Sequence, residues 1–149
     1  MEFIQSSSIK IELYEEQKKQ ISSYNKIMTS LSKSNVYGFD IFLQEQLIGF
    51  AMIDIFAPKK CFLWNYAIDK HFQNMGYGKQ ALKEFILFLK YNYDMEVVTT
   101  TYIEGNNIAK KMYEDIGFIV TSIVNEEDCH EVNMEYRTDI ISNQNNRRS

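Results

Sequence analysis

Two closely spaced glycines, Gly76 and Gly78, stand in the run Gln73-Asn74-Met75-Gly76-Tyr77-Gly78 ahead of an apolar periodicity, with Lys70 and Lys79 flanking them. Glycine removes the side chain where the first amides of a helix point outward. An anion can then reach unpaired N–H donors and the positive end of the helix dipole. The chemistry on offer is phosphate binding, helped by two mobile ammonium groups. With Ala81 the same residues also satisfy the loose G-x-G-x-x-A dinucleotide fingerprint. Context argues against that reading. The fingerprint follows directly on the first strand of a βαβ unit, with an acid about 20 positions on. Here Asp69 to Met75 intervene, two strand-like segments come earlier, and Glu96 begins the next strand. The phosphate ligand left to consider is a nucleotide-containing carrier such as coenzyme A.

Other reactive types are sparse. Cys61 and Cys129 lie in separate strand-like segments, with no C-x-x-C pair and no histidine at ligand spacing, so neither a disulfide framework nor a metal site is expected. His71 precedes the glycines and reads as exposed. A formal charge of −4 and a pI near 5.2 argue against nucleic acid as a partner and mildly favour cationic small molecules, although a solvated acidic surface explains the same numbers. The start of the chain lacks a basic region followed by an apolar run, and no apolar run reaches membrane-spanning length. The expectation is a cytoplasmic protein with no membrane partner.

The elements that must position the glycines follow from periodicity. The 149 residues fit one domain, placed at 1–141, with an Asn- and Arg-rich tail over 142–149 that reads as disordered. Met1 to Ser8 are poorly patterned and read as frayed, while Ile9, Ile11 and Leu13 alternate with polar residues and predict the first strand. Ile21, Tyr24, Ile27, Met28 and Leu31 predict one or two helices. Val36 to Leu43 and Leu47 to Phe56 predict a hairpin whose turn, Gln44-Glu45-Gln46, lacks glycine, and Gly49 marks a bulge or a close neighbour. Cys61 to Ile68 is too apolar for an edge and reads as a central fourth strand. From Lys79 onward, Leu82, Phe85, Ile86 and Leu89 form one helix face. Val97 to Tyr102 is the fifth strand, reached through that helix and so able to run parallel to the fourth. Asn106-Asn107 open a helix with Ala109, Met112, Tyr113 and Ile116 on one face and Gly117 at its end. Ile119 to Val124 and Val132 to Tyr136 predict a final hairpin.

In order and spacing of these elements, Ile9 to Tyr136 resembles the GNAT superfamily of acetyl-CoA-dependent N-acetyltransferases. Two motifs carry the resemblance. One is Q/R-x-x-G-x-G/A, present as Gln73, Asn74, Met75, Gly76, Tyr77 and Gly78. The other is N-x-x-A-x-x-x-Y-x-x-x-G-F, present as Asn106, Ala109, Tyr113, Gly117 and Phe118. The resemblance implies an α+β fold: a mixed, largely antiparallel sheet of about seven strands, splayed between strands four and five, with about four helices on its two faces. It implies acetyl-CoA as acetyl donor, with Ala67 and Ile68 offering backbone groups to pantetheine. It further implies the loop Gln73 to Lys79 on the pyrophosphate, Asn106 on the cofactor arm, and Tyr113 near the thioester sulfur. A phenol there can hydrogen-bond the departing thiolate as a general acid, and a strand-four N–H can stabilise the oxyanion. A lone tyrosine on an apolar helix face would otherwise read as core.

The same resemblance expects a carboxylate base about nine residues before Gln73, yet that register holds Trp64, followed by Asn65. Glu104, a final-hairpin acid, or an amine arriving neutral are the alternatives. The acceptor-facing segments are expected to include the final hairpin, with Glu126, Glu127, Asp128, His130, Glu131 and Glu135. The sequence is loosely similar to bacterial diamine and spermidine acetyltransferases, which makes a small polycationic amine the first acceptor. A protein N-terminus and an aminoglycoside follow, and a non-catalytic acyl-CoA-binding module is the rival class. Relatives often dimerise, so a homodimer is one assembly the resemblance allows.

Overall fold

The computed structural model describes residues 1–139, built around one seven-stranded sheet in the order β1-β2-β3-β4-β5-β7-β6. The strands are β1 (Glu2–Ser6), β2 (Val36–Leu43), β3 (Gln46–Ala57), β4 (Lys60–Ile68), β5 (Val97–Ile103), β6 (Ile119–Glu126) and β7 (Cys129–Arg137). Neighbours pair antiparallel throughout, except that β4 and β5 run parallel. The α-helices among the described residues are α1 (Glu15–Lys18), α2 (Tyr24–Leu31), α3 (Tyr77–Tyr93) and α4 (Asn107–Ile116). The predicted tail from Ser142 lies outside the described residues.

Alternation along the strands creates two cores. Ala51 and Ile53 of β3 join the larger cluster, which buries Leu82, Phe85, Ile86 and Leu89 of α3, the face its periodicity predicts, and Ala81 beside them. Phe50 and Met52, pointing the other way, pack with Ile27 of α2. Helices therefore cover both faces of the sheet.

The first strand differs from the sequence reading. Glu2–Ser6 is β1, paired with β2, whereas Ile9 to Leu13 is not in the sheet. Edge position explains the weak pattern: in β1 only Phe3 and Ser6 are even half-buried, and the Phe3 ring packs tilted against Phe85 with centroids 5.2 Å apart. Ile9 and Ile11 alternate for another reason, since they pack as extended chain over the Phe50 and Met52 cluster. The β2–β3 turn works without glycine because Gln44 (φ 49°) and Glu45 (φ 70°) both adopt the left-handed conformation a two-residue hairpin turn needs. Gly49 is both of the expected things: it adjoins a register shift, and a Cβ there would lie 2.9 Å from the Ala67 carbonyl oxygen.

A second irregularity shapes the molecule. Met52 pairs with Asn65 and Ile53 with Leu63, so Trp64 is an extra residue in β4. Such a bulge bends its strand and increases the local twist. The parallel pairing of β4 with β5 covers only Lys60–Val97, Cys61–Val98 and Phe62–Thr99, after which the two strands part.

Candidate active site

Beyond Phe62 and Thr99 the gap between β4 and β5 is a cleft of about 890 Å³. One wall is β4 from Trp64 to Ile68, continuing into Gln73, Asn74 and Gly78. The other is Thr101 to Ile103 of β5 with Asn106, Ala109, Met112 and Tyr113 of α4, and the chain from Glu16 to Ser22 lies along a third side. Ala67, Ile68, Gln73, Asn74, Gly78, Asn106 and Tyr113 are thus brought to one place. Met75, Gly76, Tyr77 and Lys79 form the turn into α3 and its first residues.

The start of α3 is bare. Gly76 is its N-cap at φ 82°, supplies no side-chain cap, and accepts the helical bond from the Gln80 amide at 3.2 Å. The amides of Tyr77, Gly78 and Lys79 precede that bond and are the open donors of a helix N-terminus. A Cβ at Gly76 would meet nothing within 4 Å, and one at Gly78 only Ile68 and Met112 side chains at 3.7 and 3.8 Å. Open space in front of unpaired amides is what a diphosphate requires, so these residues fit a coenzyme A ligand. Lys79 is drawn toward α4 by Asp115 at 3.3 Å, which Lys111 shares at 3.4 Å.

The polar side chains Gln73 and Asn106 of the two motifs have structural partners. Gln73 donates through Nε2 to the Ile68 carbonyl at 2.8 Å and pairs with Gln17, so its side chain ties the loop to β4. Asn106 caps α4, its Oδ1 accepting from the Ala109 amide at 3.2 Å, and its Nδ2 donates to Gln20 Oε1 at 3.3 Å. Tyr113 is buried, with its ring 5.3 Å from Phe118 and 6.4 Å from Tyr102. Burial raises its pKa, outweighing a hydrogen bond with the Thr100 hydroxyl that lowers it.

Trp64 and Asn65 both line the cleft, as the bulge directs. Lys26 Nζ lies 5.7 Å from the Trp64 ring centroid, and Asn65 is fully engaged with Ser22, accepting from its amide at 2.9 Å. The predicted acceptor residues Glu104, Glu126, Glu127, Asp128 and His130 are not among the lining residues. Glu104 instead donates its amide to the His130 carbonyl at 2.9 Å, and His130 Nδ1 lies 2.6 Å from Asn125 Oδ1. The charged side chains that line the cleft, among the described residues, are Glu16 of α1 and Glu131 of β7.

Three features escape a motif-based reading. Tyr66 looks like one more apolar strand residue, yet its hydroxyl donates to the Gly78 carbonyl and anchors the first turn of α3. Burial, and then the nearby Tyr113, raise its pKa. Asp69 is a buried hub: Oδ2 accepts from the Glu12 amide at 2.9 Å, and Oδ1 from the His71 amide at 2.9 Å. Burial pushes its pKa up, but these amides and the His71 ring together hold it below the ordinary value. Gln17 sits in a helix of four residues that shows no amphipathic signal. For Asp69 the available signal was an acid directly after an apolar strand, a favoured place for a turn-capping carboxylate.

The comparisons with known proteins agree with this geometry. A model of the acetyltransferase (GNAT) family matches residues 5–118. A protein described as a probable spermine N(1)-acetyltransferase, from Bacillus subtilis subsp. natto, is 32% identical over 85 residues. That match spans 52% of this chain and 56% of the relative, so the chain covers little more than half the length of the curated protein it matches. Among solved structures, a GNAT family acetyltransferase from Elizabethkingia anophelis with acetyl-CoA bound has a TM-score of 0.70 at 17% identity, covering 91% of this chain and 97% of that one. An aminoglycoside acetyltransferase in complex with coenzyme A has a TM-score of 0.73 at 14% identity, covering 89% and 88%. A spermidine N-acetyltransferase from Vibrio cholerae gives 0.70 at 14%, covering 83% and 80%. These likenesses establish the fold, and with the family match over residues 5–118 the chain belongs to the GNAT family of acetyltransferases.

Proposed function

We propose that the chain moves an acetyl group from acetyl-CoA to a primary amine, with a diamine or polyamine as first acceptor, by direct attack within the splayed cleft. The observation that carries the acceptor class is the charge of the lining: carboxylates of Glu16 and Glu131 and, among the described residues, no cationic side chain. Phe62 and Trp64 line the same cleft and offer apolar surface suited to methylene segments. The relative described as a probable spermine N(1)-acetyltransferase supports the same class.

When bound, acetyl-CoA supplies an acetyl group activated as a thioester. The amides of Tyr77, Gly78 and Lys79 hold the diphosphate, and the β4 edge at Ala67 and Ile68, released from β5, receives the pantetheine arm. Glu131 pairs with the acceptor ammonium and takes its proton, a task Trp64 and Asn65 cannot perform. As the C–N bond forms and the C–S bond breaks, Tyr113, kept protonated by burial, hydrogen-bonds the departing thiolate and gives it a proton, and the proton shed by the new amide nitrogen restores the phenol.

Thiol release from acetyl-CoA, measured with putrescine, spermidine, spermine, an aminoglycoside and a peptide with a free N-terminus, tests this reading. Polyamines should give the highest kcat/KM, and Glu131→Gln should lower it about tenfold, equivalent to ~1.4 kcal/mol. Tight binding of coenzyme A with no amine raising thiol release would contradict it.

A further inference from the structure

The acceptor side of the cleft is held mainly by hydrogen bonds, with Ile21 the residue of this strap, the segment 14–22, that packs on a core cluster. α1 buries no residue, and the segment 14–22 is held by side-chain hydrogen bonds to both walls. On the β4 side, Gln17 Nε2 donates to Gln73 Oε1 at 2.6 Å, and Gln73 Nε2 donates to Gln17 Oε1 at 2.8 Å. The Ser22 amide donates to Asn65 of β4. On the α4 side, Asn106 donates to Gln20. Gln73 therefore belongs at once to the strap and to the glycine loop. That loop contains two left-handed residues, Asn74 at φ 62° and Gly76 at φ 82°.

We propose that Gln17 is a positioning residue that couples the donor site to the acceptor wall: coenzyme A seated on the Gln73–Lys79 loop fixes the strap over the cleft through the Gln73–Gln17 pair. The inference rests on reading the splay as the coenzyme A site. Its physical basis is shared ordering. A ligand that immobilises Gln73 has already restricted the partner that Gln17 must find, so the strap loses less entropy when it closes. Because no core contact holds α1, the two carboxamides transmit the effect with little competition from packing.

Hydrogen exchange with and without saturating coenzyme A tests this without relying on turnover. In the unaltered chain, coenzyme A should slow exchange at the amides of Tyr77 to Gln80. It should also slow Gln17, Lys18, Gln20 and Ser22 by about fivefold or more, the lower range of ordinary site-to-site coupling. In Gln17→Leu, which removes the pair while leaving the core untouched, Tyr77 to Gln80 should still respond and the strap should not. Slowing at Tyr77 to Gln80 with no change in the strap of the unaltered chain would overturn the coupling. So would a strap that responds equally in Gln17→Leu. No slowing at either segment would remove the coenzyme A site, and this inference with it.

Discussion

Tyr113 sits between Tyr102 and Phe118 with its hydroxyl facing Thr100, and burial keeps its phenol protonated to higher pH than a free tyrosine. A group so placed is poorly suited to act as a nucleophile and, held in its protonated form, well suited to donate a hydrogen bond to a thiolate as it develops. Tyr113→Phe should therefore lower kcat by about a hundredfold, the modest end of general acid catalysis. Affinity for coenzyme A should stay nearly constant, because the diphosphate contacts proposed above lie at α3 and not at Tyr113. An unchanged kcat would exclude the acid role. At this scale the sequence was informative about residue types and less so about their partners. Gln73 and Asn106 stand out in the motifs, and their local partners Ile68 and Ala109 are near in sequence, but their bonds to Gln17 and Gln20 span 56 and 86 residues, which no local spacing displays. Glu16 on α1 and Glu131 within β7 reach the cleft while Glu126, Glu127 and Asp128, at the β6–β7 turn, do not, because place in the fold, rather than acidity, decides which carboxylates line it.

The unit from β4 to α3 was the most legible part of the chain. An apolar run, a polar loop and a 3.6-residue periodicity each reflect local physics, and the buried face of α3 contains all four residues of its pattern, with Ala81 added. β1 was missed for the converse reason: an edge strand that half-buries Phe3 and Ser6 carries little alternation, while Ile9, Ile11 and Leu13 alternate without a ladder. The connection between β4 and α3 depends on Asp69. Asp69→Asn should destabilise the domain by about 2 kcal/mol, the scale of hydrogen bonds to a buried charge. The pH dependence has a definite sign. Because the folded-state pKa of Asp69 lies below the ordinary value near 3.9, its contribution is present above that value and is lost as pH falls through the folded pKa. Urea unfolding across pH 2 to 7, on the order of the range over which carboxylates titrate, should show a shallower acid limb for Asp69→Asn. Equal acid limbs in the two proteins would exclude this role.

At the scale of the molecule, one extra residue in β4 has a large effect. The bulge at Trp64 ends the β4–β5 ladder after three pairs, and the cleft between the strands receives the bare start of α3 on one side and Tyr113 on the other. Splaying a central sheet forfeits ladder hydrogen bonds, partly recovered when Thr100 donates to the Leu63 carbonyl at 3.3 Å. No helix among the described residues is long and apolar enough to cross a membrane. The most direct measurement is coenzyme A binding by calorimetry to Gly76→Asp and Gly76→Asn. Both side chains tolerate the left-handed conformation and both can cap a helix, so the two variants should fold alike and differ in one negative charge. If the amides ahead of α3 hold the diphosphate, Gly76→Asp should bind coenzyme A at least about tenfold more weakly than Gly76→Asn, ~1.4 kcal/mol. Equal affinity in the two variants would contradict it.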